Sequence, residues 1–157
     1  MLRDKSLVPL SRQHQHALAL CVRIDRASPL EDSKVSEWQT EIAVQFEAEI
    51  KVHFAAEEQF VFPAAREFAE LESLVVELMG EHQLLREYFQ KAETRSLAAG
   101  EISEFVRRLS EHIRKEERQL FERFQELVRP QELERLGKEL DAALANATQI
   151  CSLPPKR

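Results

Sequence analysis

The sequence predicts an all-α chain, an up-down-up-down four-helix bundle with an additional C-terminal helix. Three observations carry this reading. Glu, Lys, Arg, Gln, Leu and Ala dominate a chain of 157 residues that has only three glycines, and all six are good helix formers. Apolar residues recur at three- and four-residue steps, the spacing of one helical face. No alternation of apolar and polar residues lasts beyond a few positions, so nothing reads as a strand. Long amphipathic segments with short connections pack as a bundle. The length suffices for one buried core, and the expected organisation is residues 1–128 as the bundle and 129–157 as the further helix and tail.

The elements follow in order. A first helix is expected from Ser11, a favourable N-cap residue, with Leu7, Leu10, His14, Ala17, Leu18 and Cys21 on one face; Pro29 ends it. A second begins near Ser33 and places Trp38, Ile42, Phe46, Ile50, His53, Glu57 and Phe60 together, with Pro63 ending or kinking it and a short continuation to Phe68. The third, over about 70–96, carries Val75, Leu78, Met79, His82, Leu85 and Phe89, and Gly100 reads as the stop after it. Ser103 is the expected cap of the fourth, whose inner face holds Phe105, Leu109, His112, Glu116 and Leu120. A fifth, over about 131–146, carries Leu133, Leu136, Leu140 and Leu144. That leucine stripe is expected to pack outside the bundle or on a partner chain, the second arrangement giving a homodimer. The tail from residue 148 is expected to be loose.

Composition also excludes. A net charge of -6, with cations interspersed among glutamates, does not make the basic patch that nucleic acid selects. No apolar run approaches the roughly 20 residues of a membrane helix, and the first residues lack the apolar core of a signal peptide. Cys21 and Cys151 are far apart and form no motif, which points to a reducing cytoplasm.

The chemistry concentrates in "HFAAEEQFVFP" (53–63) and "HIRKEERQLFERF" (112–124). Each holds a histidine with a glutamate four residues later, on the same helical face. His14, His53, His82 and His112 fall on the core faces of four successive helices, so a bundle core would receive four imidazoles with Glu57 and Glu116. A buried carboxylate without a compensating charge is strongly disfavoured. A metal supplies that charge, and imidazole with carboxylate suits iron, manganese or zinc. Six side chains are too many for one tetrahedral site, which favours two ions held by bridging carboxylates. The first-helix donor is His14 or His16, roughly 200° apart on a helix. His14 keeps company with Leu10, Leu18 and Cys21, whereas His16 sits with Arg12 and Arg23.

With "EHQLL" between the two motifs and "SRQHQHAL" ahead of them, residues 7–128 resemble the hemerythrin-like, or HHE cation-binding, family. The resemblance implies a four-helix bundle around a non-haem di-iron centre that binds dioxygen, senses oxygen or redox state, handles nitric oxide or stores iron. It implies terminal ligation by His53 and His112, bridging by Glu57 and Glu116, and further ligation by His82 and His14. The expected partner is a small diatomic or peroxide ligand. Classical oxygen carriers of the family add a fifth histidine from an H-x-x-x-H pair on the third helix. Here Arg86 follows His82 by four and Leu78 precedes it by four, so that ligand is missing. Glu58, Glu81 and Glu117 are the nearest substitutes, but their helical angles favour positions facing outward or just behind the ligands. The same centre could serve an oxidase or a peroxide- or nitric-oxide-consuming enzyme. No acid or base beyond the ligand set stands out, which ranks small-ligand binding first.

Overall fold

The helices expected from the apolar period all form, but other residues set their ends. The computed structural model describes residues 1–151, the side chains of 146 and 148–151 excepted. We number the helices α1 (Val8–Ala27), α2 (32–66), α3 (Ala69–Glu93), α4 (99–127) and α5 (Pro130–Cys151). No strand forms among the described residues, and no helix there is long and apolar enough to cross a membrane.

Four sequence expectations are corrected. First, α1 starts at Val8 rather than near Ser11, because Pro9 occupies its first turn, where the missing N–H costs nothing and the fixed φ suits a helix. Second, Pro63 does not end α2, which runs on to Arg66. The π-turn Glu57–Val61 immediately before it shifts the hydrogen-bond register, and a wider turn relieves the clash and missing donor that proline brings to an α-helix. Third, Gly100 does not stop α3. The helix ends at Glu93, and Arg95 takes the left-handed conformation at φ 57°, closed by Ser96 N–H donating to the Lys91 carbonyl at 2.8 Å. Arg95 is held there by hydrogen bonds to Ser36 and Thr40 of α2. Fourth, Ser103 lies inside α4. Ala98 precedes the helix, and its N–H donates to Glu101 at 3.2 Å, a carboxylate three residues on in the manner of a capping box.

The α5 helix runs past the expected end at 146 to Cys151; the rest of the expected loose tail, 152–157, lies outside the described residues. Leu133, Leu136, Leu140 and Leu144 are buried against Leu7, Leu10, Val61, Phe62 and Phe124 of the same chain. Met79, expected on the inner face of α3, is exposed.

The core consists of two apolar clusters. One holds Leu10, Phe62, Leu78, Leu120 and the α5 leucines; the other holds Ala17, Ile50, Leu85, Phe105 and Leu109. On α1 and α3 the chain passes from one cluster to the other at a histidine, and on α2 and α4 at a histidine–glutamate pair. At that level the buried polar residues His14, His53, Glu57, His82, His112 and Glu116 lie between the two. The α1 helix packs on α4, α2 on α3, and α3 on α4, so four helices surround that layer.

The glycines of α3 and α5 test this packing. A Cβ at Gly137 would lie 2.7 Å from Ser6 Cβ and 3.0 Å from Ser6 Cα, whereas one at Gly80 meets nothing within 4 Å. Gly80→Ala is expected to stabilise by up to about 1 kcal/mol, the helix-propensity gain. Gly137→Ala is expected to destabilise by about 1–3 kcal/mol, the usual effect of overpacking. Urea denaturation of the two variants checks both signs.

Candidate metal centre

His53 and Glu57 reach the same level of the interior because they lie one turn apart on α2; His112 and Glu116 repeat the arrangement on α4. Each glutamate opens a π-turn, Glu57–Val61 in α2 and Glu116–Phe121 in α4. A π-turn adds a residue to the helix and re-aims the side chains around it, and such bulges are frequent at functional sites. The α1 helix adds His14 and α3 adds His82. Exposure separates His14 from His16. The His14 side chain is 4% exposed, while that of His16 is 52% exposed and bonds Glu49.

The six side chains form two groups of four whose ligand atoms lie within 4.8 Å of one another: His14, His53, Glu57 and Glu116, then Glu57, His82, His112 and Glu116. Both glutamates belong to both groups, and each divides its oxygens. Glu57 Oε1 lies 3.0 Å from His53 Nε2, while its Oε2 lies 3.2 Å from His82 Nε2. Glu116 Oε2 lies 3.0 Å from His14 Nε2, while its Oε1 lies 3.0 Å from His112 Nε2.

Those distances admit ion pairing, yet both oxygens of Glu57 and Glu116 and Nε2 of His82 and His112 are buried without a hydrogen-bond partner. Buried polar atoms are nearly always bonded. Six orphans converging on one place aim at something between them rather than at each other. Two donors at about 2.1 Å from one ion and at right angles to each other lie about 3.0 Å apart. The residues therefore fit a metal on each side of the carboxylate pair.

The outer face of each imidazole fits the same role. Nδ1 of His14 donates to Glu117 at 2.7 Å, that of His82 to Glu58 at 2.8 Å, and that of His112 to Glu81 at 2.7 Å. His53 Nδ1 lies 2.8 Å from Gln13 Oε1. A carboxylate can only accept, so it holds the hydrogen on Nδ1 and leaves Nε2 as the inward lone pair, the tautomer of a ligating histidine. Glu58, Glu81 and Glu117 thus stand behind ligand candidates and orient them, one of the positions their helical angles favour. Gln13 was missed; beside a histidine it carries no spacing signal of its own. Arg86 bonds Glu58 at 2.6 Å, and Leu78 is buried in the apolar core, so neither position of the absent fifth histidine supplies a donor.

Phenylalanines wall the layer. Phe54 stacks on His82 with ring centroids 3.9 Å apart, and Phe121 on His14 at 5.6 Å. Tyr88 packs against Phe105 and Trp38 lies under Arg23, both in the second apolar cluster and outside the six-residue set.

A family model for the hemerythrin HHE cation-binding domain matches residues 8–124. The chain belongs to that family. No curated protein and no solved structure matched it. The hemerythrin HHE match spans all four helices that carry the six donors, and membership implies a metal cofactor.

Without metal, protons take the place of the cations. Burial pushes His14 down, but Glu116 and Glu117 outweigh it and raise its pKa from 6.5 to about 10. Burial likewise opposes, and neighbouring carboxylates reverse, the shifts of His82 and His112, both raised. Burial pushes Glu57 and Glu116 up; the surrounding imidazoles hold both below the ordinary carboxylate range.

A histidine raised on folding stabilises fully below its unfolded pKa and loses that contribution as pH rises through its folded value. Stability of the metal-free protein is therefore expected to fall between pH 6.5 and about 10. Metal binding expels those protons, so the rise in melting temperature on adding zinc should grow over the same range. Melting curves with chelator and with zinc, taken across pH, check both slopes; a metal-free midpoint that climbs with pH contradicts the assignment.

Proposed function

We propose that this hemerythrin HHE protein is a cytoplasmic non-haem di-iron protein that binds or senses dioxygen, a related small oxidant or nitric oxide. Its four donor helices are read as an up-down-up-down bundle. The observation that carries the reading is the division of Glu57 and Glu116, each with one oxygen toward His14 and His53 and the other toward His82 and His112. Four imidazoles and two shared carboxylates offer each ion the mixed nitrogen and oxygen set that iron accepts, as do manganese and zinc. Two iron ions held there supply redox change and coordination of a small exogenous ligand.

The chain's own residues do the rest. The Nδ1 bonds aim the four Nε2 lone pairs inward, and Phe54, Phe62 and Phe121 exclude bulk water. A cavity of about 10 Å³ lies against His14, His53 and His112, walled by Phe54, Leu109 and Ile113. That is room for about one water-sized molecule, and its apolar wall favours a small, weakly polar ligand over an organic substrate. Together these features support binding or sensing ahead of turnover.

Anaerobic loading with ferrous iron should give two iron ions per chain, one for each group of four. Admission of air or nitric oxide should then produce a new visible or near-ultraviolet charge-transfer band. Glu57→Ala and Glu116→Ala should each abolish the band and reduce iron content. Full iron loading with an unchanged spectrum under both gases would reject the reading.

A further inference from the structure

The surroundings of the four imidazoles are not equivalent. Glu117, behind His14, accepts from Arg3 at 2.7 Å. Glu58, behind His82, accepts from Arg86, and Glu81, behind His112, from Lys115. Three imidazoles therefore sit in cation–carboxylate–imidazole chains. His53 alone meets a neutral group, the side-chain oxygen of Gln13.

A carboxylate accepting the outer N–H makes the inner nitrogen a stronger donor to a metal, and charge-assisted hydrogen bonds are about twice as strong as neutral ones. An amide oxygen does less. The group containing His82 and His112 thus has two carboxylate-backed imidazoles, and the group containing His14 and His53 has one. The bridges do not discriminate, because Glu57 and Glu116 each turn one oxygen to each side. Glu49, which lines the cavity on the His53 side, is engaged with His16.

We propose that Gln13 is a positioning residue that makes the two ion sites unequal. The His82 and His112 side binds first and tightly, and the His14 and His53 side binds second and more weakly. The weaker ion would then lie against the cavity. This inference rests on the two-ion reading above.

The test follows zinc uptake by the full-length metal-free protein carrying isotope-labelled histidine, at fixed pH, through the nitrogen resonance of each Nε2. Outer partners of metal ligands typically change affinity about 10- to 100-fold. At one equivalent, about three-quarters to nine-tenths of the zinc should therefore sit on His82 and His112. Glu81→Gln leaves one amide on each side and should bring the first equivalent to a near-even split. Gln13→Glu should do the same from the other direction. Because a carboxylate at position 13 also nears Glu49 and could disturb folding, Glu81→Gln is the deciding variant, and Lys115 keeps Glu77 as a partner there.

An even split in the unaltered protein, filling of His14 and His53 first, or an order unchanged in Glu81→Gln would each overturn the proposal while leaving two-ion binding intact. Saturation at a single zinc per chain would overturn the two-ion reading and this inference with it. A merely structural role for Gln13 would lower both affinities together and leave the order of filling untouched.

Discussion

Two carboxylates buried at the centre of an apolar bundle are the constraint on which the other features depend. Glu57 and Glu116 are both 0% exposed, and each raises the electrostatic cost of the other. Removing an ion from water costs several kcal/mol even after relaxation. Such a core persists only if positive charge meets the pair, whether protons on the imidazoles or metal ions. Four imidazoles arriving from four helices meet that need from both sides, and the helices are then constrained to cross at one level.

The departures from regular helix follow from the same requirement. Apolar packing continues above and below the polar layer, so each helix must return its apolar face to the core after presenting its polar side chain. The π-turns at Glu57 and Glu116 adjust helix phase at that point. A third, at Phe46–Ile50, brings Glu49 into the interior one turn before His53. The stability of the layer also depends on groups beyond it. Arg3, Arg86 and Lys115 neutralise the three carboxylates that orient His14, His82 and His112, so the outer ring adds little net charge.

Much of this was legible in the residues. Histidine and glutamate four apart share a face on any helix, and an apolar neighbourhood at each position shows which face is inner. The preference for His14 over His16 came from that neighbourhood, and burial agrees. Helix ends were less legible, because Ser11, Ser103 and Gly100 are suitable for caps in isolation, while Pro9, Glu101 and Arg95 act through neighbours. Pro63 misled because no local pattern announces the widened turn before it. Gln13, and the cations behind Glu58, Glu81 and Glu117, were hidden because they depend on pairs 28 to 114 residues apart, which periodicity does not report. The α5 leucines were visible as a stripe, but only the tertiary structure shows them covering one end of their own bundle.

The segment ahead of α1 has a larger part than its lack of helix suggests. Arg3 bonds both the side chain and the backbone carbonyl of Glu117, lies over the Phe121 ring and reaches Gln125, whose amide returns a bond to the Leu2 carbonyl. A few residues later, Ser6 packs against Gly137 of α5. The N-terminal strap therefore couples the rim of the centre to the last helix. A partner, tag or modification that peels residues 2–6 from the surface would slacken His14 without touching any of the six donors, which makes this strap a handle on the proposed centre from outside.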